Sequence, residues 1–221
     1  MTILLLIRHA LTEFTGKRLS GSTPGIHLST EGEAQAEHLA ERVSTLPISA
    51  LYASPLERCM ETALAIGVRR ALTVRALPEL EEVGYGRWTG RPLAQLARTA
   101  LWKKVQHSPS SVRFPGGETL SEVQRRAVTA LDGIAERHPR ATVAAVTHAD
   151  VIRLTLAHYA GVHIDLFQRL IVSPASVSAV VLGDRIPRIL RINDTGTLSD
   201  LSARTRKASP GRASGAPRGG S

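Results

Sequence analysis

Five apolar residues, Ile3 to Ile7, run without a polar break into the pair Arg8-His9. Apolar character at every position, rather than at alternate ones, is the pattern of a strand covered on both faces. Further strand-like runs lie at Ala50–Ala53, Leu72–Arg75, Thr142–Val146, Val177–Leu182 and Arg188–Ile192, with helical patterns between most of them. Strands alternating with helices imply parallel βαβ units and helices on both faces of one sheet.

Three helices can be read from their ends and stripes. In STEGEAQAEHLAERV, Thr30 and Glu33 have capping-box spacing, and Ala36, Leu39, Ala40 and Val43 share one face. In SPLERCMETALAIG, Ser54 stands as N-cap, Pro55 at the first helical position, Glu57 at the third and Gly67 just past the end. A third helix runs from about Glu118 to Arg137, with Leu120, Val123, Ala127, Ala130 and Ile134 inward, and stops before Pro139. The last two strand runs, joined by GDRIP, form a hairpin at the sheet edge.

The chain has 221 residues, enough for one α/β domain. Hydrophobic residues make up 43% but aromatics only 4%, so the core is built of Leu, Val, Ile and Ala. Net charge is +9, which points to acidic partners, yet residues 199–221 hold five basic residues against one acidic. That low-complexity stretch of Ser, Gly, Pro, Ala and Arg has too little apolar surface to offset its ordering entropy. The expected organisation is one folded domain over 1–198 and a disordered basic tail over 199–221. Weak nucleic-acid binding by the tail is a separate reading of its charge. A single cysteine, Cys59, allows no internal disulfide and favours a reducing compartment, the cytoplasm. The opening apolar run is too short to span a membrane and lacks the features of a signal peptide, so no membrane association is expected.

Ligands of open α/β sheets bind beyond the carboxyl ends of the strands. Arg8-His9 leaves one such end, and VAAVTHAD brings His148 to another. ALYAS leads into Arg58 in the first turn of a helix, where free N–H groups already favour an anion. Each residue alone has an ordinary structural explanation; their convergence makes a site for a phosphoryl dianion, since arginine suits bidentate binding of phosphate. A histidine among arginines offers nucleophilic attack on phosphorus, and the leaving oxygen then needs an acid. LPELEEVGYGRWTG supplies Glu79, Glu81 and Glu82, and spacing does not choose among them.

Taken in order, LIRHALTE, SPLERCMETA, LEEVGYGRWTG, PGGET and VTHADVIR resemble the histidine phosphatase superfamily, the phosphoglycerate mutase-like family. The resemblance implies a three-layer α/β/α sandwich with a mostly parallel sheet and an antiparallel edge strand. It implies that His9 is the phosphorylated nucleophile, that Arg8 and Arg58 bind the phosphoryl oxygens, that His148 stabilises the transferring group and that Glu82 is the proton donor. It also assigns Thr15, Ser20, Gly21 and Ala149 to substrate binding, and implies no metal and no cofactor.

The sequence departs from the family pattern at several points. Ala10 and Ala149 stand where glycine usually follows each histidine, Thr15 where asparagine is common, and Ser22 where tryptophan often follows the Arg18, Ser20, Gly21 loop. The segment from Arg91 to Arg113 is short, which favours hydrolysis over transfer between substrate positions. Arg87, Arg91, Lys103, Lys104 and Arg113 are available for an acidic leaving group. The expected function is a metal-independent phosphatase of a small phosphorylated metabolite. A phosphomutase and a non-catalytic phosphate-binding module are the alternatives. Oligomeric state is left open, a homodimer included.

Overall fold

The computed structural model describes residues 1–183 and 186–196. Its strands are β1 (Thr2–Arg8), β2 (Ile48–Ala53), β3 (Val74–Ala76), β4 (Thr142–Thr147), β5 (Val177–Leu182) and β6 (Arg188–Asp194). They form one sheet in the order β3-β2-β4-β1-β5-β6. The first four strands in that order are mutually parallel, β5 runs antiparallel to β1, and β6 returns antiparallel to β5. The reversed strand thus stands one place in from the edge, with the hairpin partner β6 outside it. The expected boundary at 198 and the tail 199–221 lie outside the described residues, as does part of the hairpin turn.

The helices are α1 (Thr30–Val43), α2 (Glu57–Arg70), α3 (Leu93–Leu96), α4 (Ala100–His107), α5 (Leu120–Arg137) and α6 (Ala149–Tyr159). Alternate residues of β1 feed two different cores, as a doubly covered strand must. Leu5 and Ile7 pack with Ala36, Leu39, Ala63 and Ile66 of α1 and α2. Leu4 and Leu6 face Leu131, Ile134, Ile152 and Leu156 of α5 and α6. A third cluster gathers Val83, Tyr85, Trp88, Phe114, Val123 and Phe167, with Trp102 packed against it, so both tryptophans are packing residues. Among the described residues no helix is long and apolar enough to cross a membrane.

Helix ends differ from the sequence reading for local reasons. The N-cap of α1 is Ser29, not Thr30, its hydroxyl accepting from the Gly32 N–H. Gly32 is required there because a Cβ would stand 2.0 Å from the Leu11 carbonyl oxygen, so the first turn of α1 lies directly on the loop after His9. α2 runs past Gly67 to Arg70, and Ala71 takes the left-handed cap conformation at φ 52°. Gly67 is instead a packing residue, since a Cβ there would meet the Leu72 carbonyl at 2.8 Å. Leu56 rather than Ser54 precedes α2, and the Ser54 hydroxyl serves the site described next. α5 begins at Leu120 behind a Thr119–Glu122 capping box, and Val128 and Leu131 complete its buried stripe where Ala130 stays half-buried.

Candidate active site

Three parallel strands end together. In register, Arg8 pairs with Thr147 and Ala53 with Val146. Beyond those pairs the His9 N–H donates to the Thr147 carbonyl at 2.9 Å and the Ser54 N–H to the Val146 carbonyl at 2.9 Å. His9, Ser54 and His148 therefore leave adjacent strand ends, and the two imidazole centroids lie 5.3 Å apart. Both histidines are buried, at 6% and 0% exposure, so their protonation is set by the protein rather than by water.

The Nδ1 of His9 lies 2.7 Å from the carbonyl oxygen of Ala10. A carbonyl only accepts, so Nδ1 carries the hydrogen and Nε2 keeps its lone pair. Burial, then the charges of Arg8 and Arg58, bring the His9 pKa down to about 3. The turn is held from below: the Ala10 N–H donates to the Thr62 hydroxyl, which itself donates to the Arg58 carbonyl. The Ala10 methyl is fully buried in this turn without displacing it.

Arg58, in the first turn of α2, is 1% exposed. Its Nη2 donates to the Gly21 carbonyl at 2.7 Å, while Nε and Nη1 are buried with no hydrogen-bond partner among the described residues. Arg8 uses Nη1 on the Val172 carbonyl at 2.7 Å, and its Nε is likewise buried and unpartnered. Buried guanidinium donors without acceptors are costly, and an oxyanion is the ligand that satisfies them.

His148 is the residue before α6, with Nε2 2.9 Å from the Ser54 hydroxyl and 3.4 Å from the Cys59 sulfur. Burial, then Arg58 and His9, hold it neutral by taking its pKa well below 6.5. Burial likewise pushes the Cys59 thiol up, so it stays protonated and acts as a small packing group.

Glu82 follows a short turn at Pro78–Leu80 that the Thr147 hydroxyl ties to β4 by donating to the Leu80 carbonyl at 2.6 Å. Loss of solvent and then the charge of Asp150 push its carboxyl up to about 7, against the pull of the Val83 N–H, Arg58 and Arg8. Asp150 is fixed by the Tyr85 hydroxyl at 2.8 Å and Arg153 at 2.9 Å. Glu79 is exposed, whereas Glu81 and Glu82 are both half-buried; what sets Glu82 apart is that its carboxyl faces Asp150, Arg58 and Arg8. A cavity of about 680 Å³ opens beside the carboxylate, lined by Ser22, Glu82, Gly84, Gly86, Thr89 and Glu118.

The remaining expected residues divide. Gly21 reaches the site as the carbonyl partner of Arg58, and Ala149 opens α6 directly after His148. The Thr15 hydroxyl is engaged in its own turn, 3.0 Å from both the Thr12 N–H and the Thr12 hydroxyl. Ser20 has its carbonyl taken by the Thr23 N–H. Arg113 is committed to Glu122 at 2.6 Å. Ser54, Thr62, Thr147 and Asp150 were absent from the expected site. All four lie within five residues of an expected one, but short polar side chains at strand ends (Ser54, Thr147) or in the helices that follow (Thr62, Asp150) carry no signal of their own.

The buried histidines make acid costly. Their unfolded forms bind protons near pH 6.5, the folded ones far lower, so the stability they confer is full above about 6.5 and is lost as pH falls. Glu82 acts with the opposite sign between about 4.5 and 7. Replacing His9 by Gln should therefore flatten the acid loss between pH 6 and 4 by about 1.4 kcal/mol per pH unit. Urea unfolding of both proteins at several pH values measures this; parallel curves would show that His9 is protonated in the fold.

Residues 4–195 match the family model of the histidine phosphatase superfamily (branch 1). Phosphoserine phosphatase 1 of Hydrogenobacter thermophilus is 29% identical over 210 residues, 94% of this chain and 100% of that protein. The bifunctional protein Rv2228c of Mycobacterium tuberculosis is 32% identical over 203 residues, covering 89% of this chain but 55% of that protein, so the chain spans about half of that relative. The solved structure of Bacillus stearothermophilus YhfR superposes with a TM-score of 0.82 at 24% identity, over 88% of this chain and 98% of that one, and so shares the fold. With the family match spanning β1 to the end of β6 and the fold common to both, the chain belongs to the histidine phosphatase superfamily.

Proposed function

We propose that the chain hydrolyses a small phosphomonoester without a metal ion, by way of a phosphohistidine at His9. With phosphoserine phosphatase 1 matched over its whole length and the superfamily model over residues 4–195, it is a phosphoric monoester hydrolase. The observation that carries the mechanistic reading is the unprotonated Nε2 of a neutral, buried His9 beside two guanidinium groups with unspent donors. In the first step Nε2 bonds to phosphorus, the bond from phosphorus to the leaving oxygen breaks, and the Glu82 carboxyl gives that oxygen its proton. In the second, the Glu82 carboxylate takes a proton from water, the water oxygen bonds to phosphorus, and the N–P bond breaks to return neutral His9. Arg8 and Arg58 carry the charge on the equatorial oxygens, the work a cation does elsewhere, and His148 gives its one N–H to the same group. A carboxyl with pKa near 7 is suited to serve as acid and then as base at neutral pH.

Phosphoserine is the first substrate to try, given the name of the Hydrogenobacter thermophilus relative; sugar phosphates, phosphoglycerate-like acids and nucleoside monophosphates complete the set. The buried thiol of the single cysteine fits a reducing cytoplasm. Assayed in EDTA, the enzyme should release inorganic phosphate at an undiminished rate. Activity lost to EDTA, or isomerised product without phosphate, would overturn the reading. For alkyl phosphates kcat/KM should fall as pH rises through about 7, the Glu82 value. Glu82→Gln should cost about 10²–10³-fold with such substrates and under about 10-fold with p-nitrophenyl phosphate, whose leaving group needs no proton. Equal losses would remove Glu82 from the acid role.

A further inference from the structure

Glu82 sits on a loop without ladder pairing of its own, yet a general acid must be held to within tenths of an ångström of the leaving oxygen. The restraint comes from a residue outside the strand-end cluster, Arg126 in the second turn of α5. Its Nη1 donates to the carbonyls of Glu79 at 2.7 Å and Glu81 at 2.8 Å, and its Nη2 to the carbonyl of Glu82 at 3.1 Å. The other donors go to Glu118, from Nε at 2.9 Å and Nη2 at 3.0 Å. All five N–H donors of the guanidinium are thus used. Glu118 closes the loop on its far side, its Oε2 accepting from the Gly84 N–H at 2.7 Å and its own N–H donating to the Gly84 carbonyl at 2.8 Å. Gly117 allows that contact, because a Cβ there would lie 2.0 Å from the Gly84 carbonyl oxygen.

We infer that Arg126 is a positioning residue for the proton donor, clamping the backbone of residues 79–84 onto α5 so that the Glu82 carboxyl stays over the leaving oxygen. The inference rests on the acid role proposed for Glu82. Three carbonyls of one short loop turned to a single guanidinium are not explained by stability alone, since α5 is already anchored by its own cap and by Leu131 and Ile134 in the core. The ion pair with Glu118 is partly exposed and of modest worth. What the arrangement adds is geometry: the donor fork is planar and rigid, so it fixes the three carbonyls relative to one another.

The test compares Arg126→Met, Arg126→Lys, Glu82→Gln and the double variant Glu82→Gln/Arg126→Met on an alkyl phosphate and on p-nitrophenyl phosphate. Arg126→Met should lower kcat/KM for the alkyl ester by about 30- to 100-fold and for the aryl ester by less than about threefold. Arg126→Lys, which keeps the charge but not the fork, should lie between it and wild type. On the Glu82→Gln background the same change should cost nothing beyond about twofold, because a residue acting only through the acid has nothing left to position. Equal losses on both substrates, or losses that multiply in the double variant, would reduce Arg126 to a structural role while leaving the acid reading intact. Failure of Glu82→Gln itself to discriminate the substrates would sink the acid reading instead. Should Arg126→Met not fold, Glu118→Gln gives the same comparison, with a smaller loss of the same leaving-group dependence expected and a uniform loss overturning the inference.

Discussion

Replacement of His9 by alanine should lower kcat/KM by about 10⁴-fold or more, equivalent to roughly 5.4 kcal/mol of transition-state stabilisation. No other group can take over. His148 is neutral, but its Nε2 is held by the Ser54 hydroxyl. The Cys59 thiol is kept protonated by burial. Glu82 is needed protonated for the first step. The loss should be nearly the same for alkyl and aryl phosphates, since the attacking atom is required by both, whereas Glu82→Gln separates them. Rapid quench of the wild-type enzyme with labelled substrate should give an acid-labile, base-stable adduct on His9. Label on any other residue, or activity in His9→Ala within tenfold of wild type, would falsify the nucleophile assignment.

Arg58→Met should cost about 10³-fold in kcat/KM, the scale of losing one preorganised donor group for the transferring oxygens, without destabilising the ligand-free protein. The reason is the state of Arg58 before substrate arrives. Its side chain is almost fully buried and two of its three nitrogens have no partner among the described residues. Such a group opposes folding until an anion binds, and an apolar chain of similar length removes that opposition. Wild-type protein should therefore gain thermal stability from millimolar phosphate or vanadate, and the variant should gain none. Melting curves with and without the oxyanion decide the matter. A variant markedly less stable than wild type in phosphate-free buffer would mean that Arg58 serves the fold through Gly21 rather than the ligand. Arg58→Lys is no conservative control, because an ammonium cannot reach Gly21 and an oxyanion with one fork.

The two covered faces of β1 were legible because an unbroken apolar run has one economical fate, and the alternation of strands with α1, α2 and α5 followed from the stripes and end residues of those helices. Caps were less legible. Ser54 reads as an N-cap from its place before Pro55 and Glu57, yet its hydroxyl is turned to His148, ninety-four residues on, because β2 and β4 end side by side. Likewise Gly67 reads as a helix stop, but it is small to admit the Leu72 carbonyl. A residue chosen for a tertiary contact can look like a local signal, and the chain alone does not say which contact it answers.

The same division runs through the active site. Arg8, His9, Arg58 and His148 could be singled out from residue type and from position at strand ends or in the first turn of a helix, since phosphoryl transfer to a histidine calls for fixed cations around a neutral imidazole. What residue type and spacing could not decide was the protonation of those groups and, apart from the family resemblance that pointed to Glu82, the choice among Glu79, Glu81 and Glu82. Both depend on water being excluded and on charges brought together from distant segments: Asp150 toward Glu82, Arg58 toward His9, Arg126 against the backbone of the acid loop. Residue identity determined which reactions were within reach; packing decided which atom holds the proton, because a pKa is a property of surroundings that only the folded chain possesses.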